Sequence, residues 1–279
     1  MEGLKISIIT PNYNYGNYLG KLIESVLSQD YENFEHIVID DGSTDNSLAI
    51  IEEYSRIDSR IKLLKQKNYG QTIAINNGLR VANGDIVCWI NSDDFYEKNV
   101  FSRIVNYFES NPETEVVFGD WNIVDKEGRL VRVQRNLPLN YSVGCFLGFG
   151  FCVQSNTVFW KRQVTARIGF LKENLRYNMD GEYFSRMAEI YYFEKINVVI
   201  ANFRIHDKAK TIDKTKSAER FLEYELEWRE NYKKTWQSKM FSYEIGKYFK
   251  YYYKLKRILL RLIYGHYKNY LLQIMNNRS

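Results

Sequence analysis

Cysteine, proline and histidine are scarce in this chain of 279 residues, with three of each. Cys88, Cys145 and Cys152 are odd in number and show no C-x-x-C spacing, which argues against a disulfide framework and leaves buried, reduced thiols in a reducing cytosol as the expectation. No uncharged apolar run reaches the ~18 residues that a spanning helix needs. The opening residues M-E-G-L-K-I-S-I-I-T have no basic leader ahead of a long apolar core, so no secretory signal is expected. Linkers rich in Pro, Gly or Ser are missing too, as are internal repeats and low-complexity segments, which disfavours a string of separate domains. The loop P-N-Y-N-Y-G-N-Y at 11–18 is neutral, whereas a nucleotidyltransferase would show a glycine-rich loop with a basic residue there.

What is present is a strong alternation. Short β-branched runs at 6–10, 36–40, 61–65 and 85–91 read as strands, and the stretches 19–29, 47–57 and 72–82 between them read as helices. Repeated β-α-β units predict an open, mostly parallel sheet that binds ligands at the carboxyl ends of its strands. Polar clusters fall at three such ends: Thr10 to Tyr13, Asp40 to Ser43 and Asn91 to Asp94. Further on the alternation loosens, with strands expected at 116–120, 130–134, 156–160 and 198–205 and a helix after Asp180, as in a mixed α+β half built on the same sheet.

Charge divides the chain differently. Residues 208–279 carry 17 Lys/Arg against 7 Asp/Glu, so a basic, aromatic tail follows an acidic body. Lysines and arginines among Tyr, Leu and Ile suit a helix lying on an anionic membrane surface, and equally a solvated helix pair covering the core. Nucleic acid ranks last as a partner, because no binding motif accompanies the charge.

Two adjacent carboxylate pairs, Asp40-Asp41 and Asp93-Asp94, demand a reason, since like charges repel. A single acid suffices to cap a helix, and Ser43 or Asp45 can do that after the first pair. A cation site accounts better for the second.

Taken in order, I-S-I-I-T-P-N-Y-N (6–14), H-I-V-I-D-D-G-S-T-D-N-S (36–47) and the run from N-Y-G-Q-T to W-I-N-S-D-D (68–94) resemble the nucleotide-binding half of the inverting family 2 glycosyltransferases. The resemblance implies a GT-A fold over 1–207, with a nucleotide-sugar half at 1–100 and an acceptor half at 101–207, followed by the tail at 208–279. It also implies a nucleoside diphosphate sugar donor, UDP or dTDP, and Mn²⁺ or Mg²⁺. Thr10, Pro11 and Tyr13 would hold the base, with Asp40 accepting from the imide N–H, a task for a group that accepts and does not donate. Asp41 and Gln71 join the donor set. The family's D-x-D-D element reads here Asn91-Ser92-Asp93-Asp94, so its first acid is an amide. Asp93 would touch the ribose or the metal, and Asp94 is expected to be the main metal ligand.

The R-Y-N-M-D-G-E stretch at 176–182 resembles the family's catalytic acid, which makes Asp180 the expected base and Glu182 its competitor. Asn202 to His206 resembles the family's R-x-H element, placing His206 on the metal or the diphosphate, while Arg204 suits an ion pair equally well. Gln154 and Ser155 are candidates to face the acceptor. The expectation is a cytoplasmic enzyme, peripheral on the inner membrane face at most, that moves a hexosyl or N-acetylhexosaminyl group to a glycan or polyprenyl-linked glycan. Asn at Asp94 or at Asp180 should abolish transfer. The competing class is a non-catalytic nucleotide- or glycan-binding protein, which would need no base.

Overall fold

A computed structural model describes residues 3–136 and 153–207, together with the isolated positions 219, 222, 255 and 259. Cys145, Cys152 and nearly all of the basic tail lie outside the described residues. The chain begins β1 (Ile6–Asn12), α1 (Gly16–Leu27), β2 (Phe34–Asp40), α2 (Ser47–Ile57), β3 (Ile61–Lys65), α3 (Gln71–Val81) and β4 (Ile86–Trp89). It continues with β5 (Phe95–Tyr96), α4 (Phe101–Ser110), β6 (Val116–Val124), β7 (Leu130–Gln134), β8 (Val158–Lys161), α5 (Arg162–Ile168), α6 (Met179–Ala188) and β9 (Phe193–Arg204).

All nine strands join one sheet in the order β3-β2-β1-β4-β8-β6-β9-β5, with β7 paired to β6. The first four are mutually parallel, and β8 enters antiparallel between β4 and β6. Every residue of β1, β2 and β4 is buried, as expected of strands covered on both faces. Ile6 and Ile8 face a core with Leu19, Leu22 and Ile23 of α1, while Ile9 faces the opposite core with Ala74, Ile75 and Leu79 of α3. At Gly78 a Cβ would come within 2.5 Å of Ile9 Cγ2, so only glycine lets α3 approach β1 this closely.

Parallel pairing lines up the strand ends. Asn12 lies opposite Asp40, and β4 runs alongside β1 with Trp89 opposite Ile9. On the far side of the sheet, Trp89 stacks flat on Phe184 with ring centroids 4.9 Å apart, and Trp160 meets Tyr183 edge-on. Such pairs add roughly 0.5–1.5 kcal/mol each beyond burial. They fix α6, and therefore its first turn, against the end of β4.

After Asp94 no helix begins. The chain enters the two-residue strand β5, which pairs with β9, so the acidic pair caps nothing. Helix α4, which sequence periodicity did not single out, starts only at Phe101 and buries Phe101, Ile104, Val105 and Phe108. Among the described residues no helix is long and apolar enough to cross a membrane.

Candidate active site

A cleft of about 790 Å³ opens where β1, β2 and β4 end. Pro11, Tyr13, Asp41, Gln71, Asp93 and Asp180, six of the residues expected from sequence, all border it. Thr10, Asp40, Asp94 and His206 do not, and each has a physical reason.

At the end of β2 the roles of the two acids are divided. Asp40 turns inward: Oδ1 accepts from Asn12 Nδ2 at 3.2 Å and Oδ2 from the Ser43 amide at 3.1 Å. Asp41 faces the cleft and gathers the loop before α3, accepting from the Tyr69 and Gly70 amides at 2.9 Å each and from Gln66 Nε2 at 2.7 Å. Gly70 has φ +99°, which lets both amides converge on one carboxylate. Of the two acids only Asp41 borders the cleft, which is also lined by Tyr13 and by Tyr69, a residue that sequence reasoning passed over. Thr10 is withdrawn for a similar reason: its hydroxyl lies 2.9 Å from Nε2 of His36, whose pKa burial pushes down to about 3.

The first two loops hold each other. Asn14, in the left-handed region at φ 59°, accepts the Thr44 and Asp45 amides at 2.7 and 3.2 Å. Asp45 answers by accepting the Gly16 amide at the start of α1 and the Ser47 amide at the start of α2. The capping expected of Asp45 is thus present at two helices. Ser43 instead accepts from Asn14 N and Asn12 Nδ2.

At the end of β4, Asn91 occupies the position of the missing acid and accepts from Gln71 Nε2 at 2.8 Å, both residues lining the cleft. Asp93 lines it too, and its Oδ2 lies 3.0 Å from His206 Nε2. His206 is buried, tilted against Tyr18 with ring centroids 4.7 Å apart and met edge-on by Tyr15, and its Nδ1 has no partner among the described residues. Burial, and after it Asp93, raises the Tyr15 hydroxyl pKa and keeps it protonated. Asp94 is 1% exposed and away from the cleft, with Oδ1 on the Arg204 amide and Oδ2 on Asn156 Nδ2, both at 3.0 Å. Burial first, then Asp93, raises its pKa well above the ordinary carboxylate value. Asp94, the expected principal metal ligand, thus has both oxygens engaged and does not border the cleft. Arg204 is structural, with Nε on the Asp93 carbonyl, Nη1 on the Lys126 carbonyl and its guanidinium over Tyr18 and Phe95.

Across the cleft, Asp180 sits in the first turn of α6 and accepts the Gly181 amide. Burial raises its pKa above 3.8, opposed by that amide. Glu182 is spoken for: it is buried, and its two oxygens meet Arg186 at 2.9 and 2.8 Å and Lys172 at 3.2 Å. Of the two candidates only Asp180 borders the cleft, together with Gln154, Ser155, Arg176 and Tyr177.

The fit to a divalent cation rests on Asp93, a carboxylate at the cleft wall, and His206, an imidazole buried behind it with Nε2 3.0 Å from Asp93 Oδ2. Two protein donors suit Mn²⁺ or Mg²⁺ completed by phosphate oxygens and water. Among the described residues no cluster of three or more potential ligands forms a closed cage.

Residues 7–169 match the model of Glycosyl transferase family 2. Glycosyltransferase GlyA of Streptococcus pneumoniae is 41% identical over 107 residues, 37% of this chain and 15% of GlyA. Chondroitin synthase of Escherichia coli is 28% identical over 209 residues, 75% of this chain but only 30% of that enzyme. The chain thus spans a minor part of either relative. In three dimensions it is similar to Staphylococcus aureus TarS 1-349 in complex with UDP-GlcNAc (TM-score 0.61, 20% identity, 75% of this chain and 61% of that one). It is equally similar to the mannosyltransferase PcManGT of Pyrobaculum calidifontis in complex with GDP-Man and Mn²⁺ (TM-score 0.61, 16% identity, 80% of this chain and 63% of that one). With the strand order, the acidic cleft and a family match over more than half its length, the chain has the GT-A fold and belongs to glycosyl transferase family 2.

Proposed function

We propose that the chain transfers a sugar from a nucleoside diphosphate sugar, a UDP-sugar by preference, to a glycan hydroxyl with inversion at the anomeric carbon. The observation that carries this reading is that Asp93, backed by His206, and Asp180 border one cleft while Glu182 is locked in ion pairs. Asp180 takes the proton of the acceptor hydroxyl as its oxygen attacks the anomeric carbon, and the bond from that carbon to the diphosphate oxygen breaks on the opposite face. A raised pKa makes Asp180 a stronger base than an exposed carboxylate once it is ionised.

Asp41, Tyr13 and Tyr69, which line the same cleft, are assigned to the base, as an acceptor and two rings. Asp93 and His206 would hold Mn²⁺ or Mg²⁺, which when bound supplies positive charge to the departing diphosphate. We assign the acceptor to a glycan, lipid-linked where the basic tail meets an anionic membrane surface on its cytoplasmic side. That tail is outside the described residues.

The test is a screen of nucleotide sugars for donor hydrolysis and transfer, with Mn²⁺ and with chelator. Turnover of one donor that chelation removes is the expected result. Turnover that survives chelation sinks the metal role, and binding of donors without any turnover favours a non-catalytic protein.

A further inference from the structure

We propose that Asp94 is a positioning residue whose hydrogen bonds, and not its charge, set the spacing between Asp93 and His206. The proposal rests on the metal-assisted reading above and concerns which of the two adjacent acids does what. Asp94 Oδ1 accepts the Arg204 amide at 3.0 Å, and Arg204 Nε returns a bond of 2.8 Å to the Asp93 carbonyl. The Asp94 side chain therefore grips the main chain of Arg204 while the Arg204 side chain grips the main chain of Asp93, and the Asp93-Asp94 segment is stapled to the end of β9. His206 lies two residues beyond Arg204, so the staple fixes where its imidazole meets Asp93.

Asp94 Oδ2 reaches a third element, accepting from Asn156 Nδ2 in the 3₁₀ turn Ser155–Thr157. Beside that bond, Asn156 Oδ1 is buried with no partner among the described residues. This orphan oxygen makes the site tolerant of one particular change. In Asp94→Asn the new Oδ1 keeps the Arg204 amide, the new Nδ2 faces Asn156, and the Asn156 amide turns over so that its free oxygen accepts. All three elements stay joined without a carboxylate, with the Asn156 Nδ2 now in the buried place that its oxygen held, at a modest cost in stability. Asp94→Ala strands the Arg204 amide and the Asn156 side chain in the interior, where unpaired donors are costly.

Mn²⁺ binding, read from the electron spin resonance of free Mn²⁺, and UDP binding in its presence, read by calorimetry, test the assignment on the full chain. The variants are Asp93→Asn, Asp94→Asn and Asp94→Ala, with melting temperatures alongside. Asp94→Asn should bind Mn²⁺ close to the unsubstituted chain, whereas Asp93→Asn should lose most of that affinity. Asp94→Ala should fall between, by the ~10- to 100-fold typical of residues that orient a ligand. Loss in Asp94→Asn as large as in Asp93→Asn, with melting intact, overturns the assignment and leaves metal dependence standing. An unsubstituted chain that ignores Mn²⁺ overturns both.

Discussion

The two acidic pairs of this cleft, Asp40-Asp41 after β2 and Asp93-Asp94 after β4, are alike in sequence and opposite in geometry. In the first, the leading acid turns inward and the second faces the cleft; in the second, the order is reversed. The strand ends explain the difference. Asp40 is still in register with Asn12 and hydrogen bonds to it, so its successor Asp41 swings outward. Trp89 ends β4 four residues before Asp93, and the chain must then bend back to pair β5 with β9, which drives Asp94 into the interior beneath Arg204. Each pair thus places one acid at the cleft and the other away from it. Neither asks two charges to share one solvent-exposed point.

Substitution by the amide separates these roles. Asp93→Asn should cost roughly 10³-fold in kcat/KM, the several kcal/mol that charge at a leaving diphosphate supplies. Transfer assays with saturating acceptor and Mn²⁺ measure it. A fall no larger than that of Asp94→Asn would erase the contrast within the second pair.

Asp180→Asn should lower kcat by ~10²- to 10⁴-fold and at the same time raise the melting temperature at neutral pH. Burial lifts the folded-state pKa of Asp180 above its unfolded value, so the folded chain holds the proton more tightly. Stability is then fully present below pH 3.8 and declines as pH rises through the raised pKa, leaving the ionised carboxylate a liability at neutrality. The acid limb of the kcat profile should accordingly lie above the ordinary carboxylate range. Calorimetric melting across pH checks the first statement, and pre-steady-state rates check the second.

Asp41→Asn should act on binding, raising the donor KM roughly 10- to 100-fold, since hydrogen bonds to a charged acceptor are worth about 1.5–3 kcal/mol. Asp40→Asn should leave KM alone and remove about 1 kcal/mol of stability, because one of its two accepted bonds is lost. Equal KM values in these two variants would break the comparison at the first pair. Glu182→Gln supplies the matching control for Asp180: unpairing Arg186 and Lys172, both partly exposed, should cost about 1–2 kcal/mol with turnover per folded molecule unchanged.

Much of the site was legible in the residues. Strands at 36–40, 61–65 and 130–134 and the helix at 47–57 agree with the structure to within two residues at each end, because short β-branched runs and helical spacing are local information. That Asp41, Asp93 and Asp180 border one cleft follows from strand ends and a helix start that spacing already marked. Helix α4 went unnoticed because its buried positions are interleaved with Ser, Arg, Asn and Glu in a short run. Tyr15 and Tyr69 left no signal beyond their place beside the motifs, since a tyrosine in a loop reads equally as packing.

Sequence by itself determined the alternation of strands and helices, the three polar strand ends and the acids available there, because these depend on neighbours along the chain. The tertiary structure alone decided which acid of each pair faces the cleft, that Glu182 is consumed by Arg186 and Lys172, and that His206 comes to Asp93 from 113 residues away. The direction in which a side chain points at a strand end is set by what the next strand pairs with, and that partner is remote in sequence.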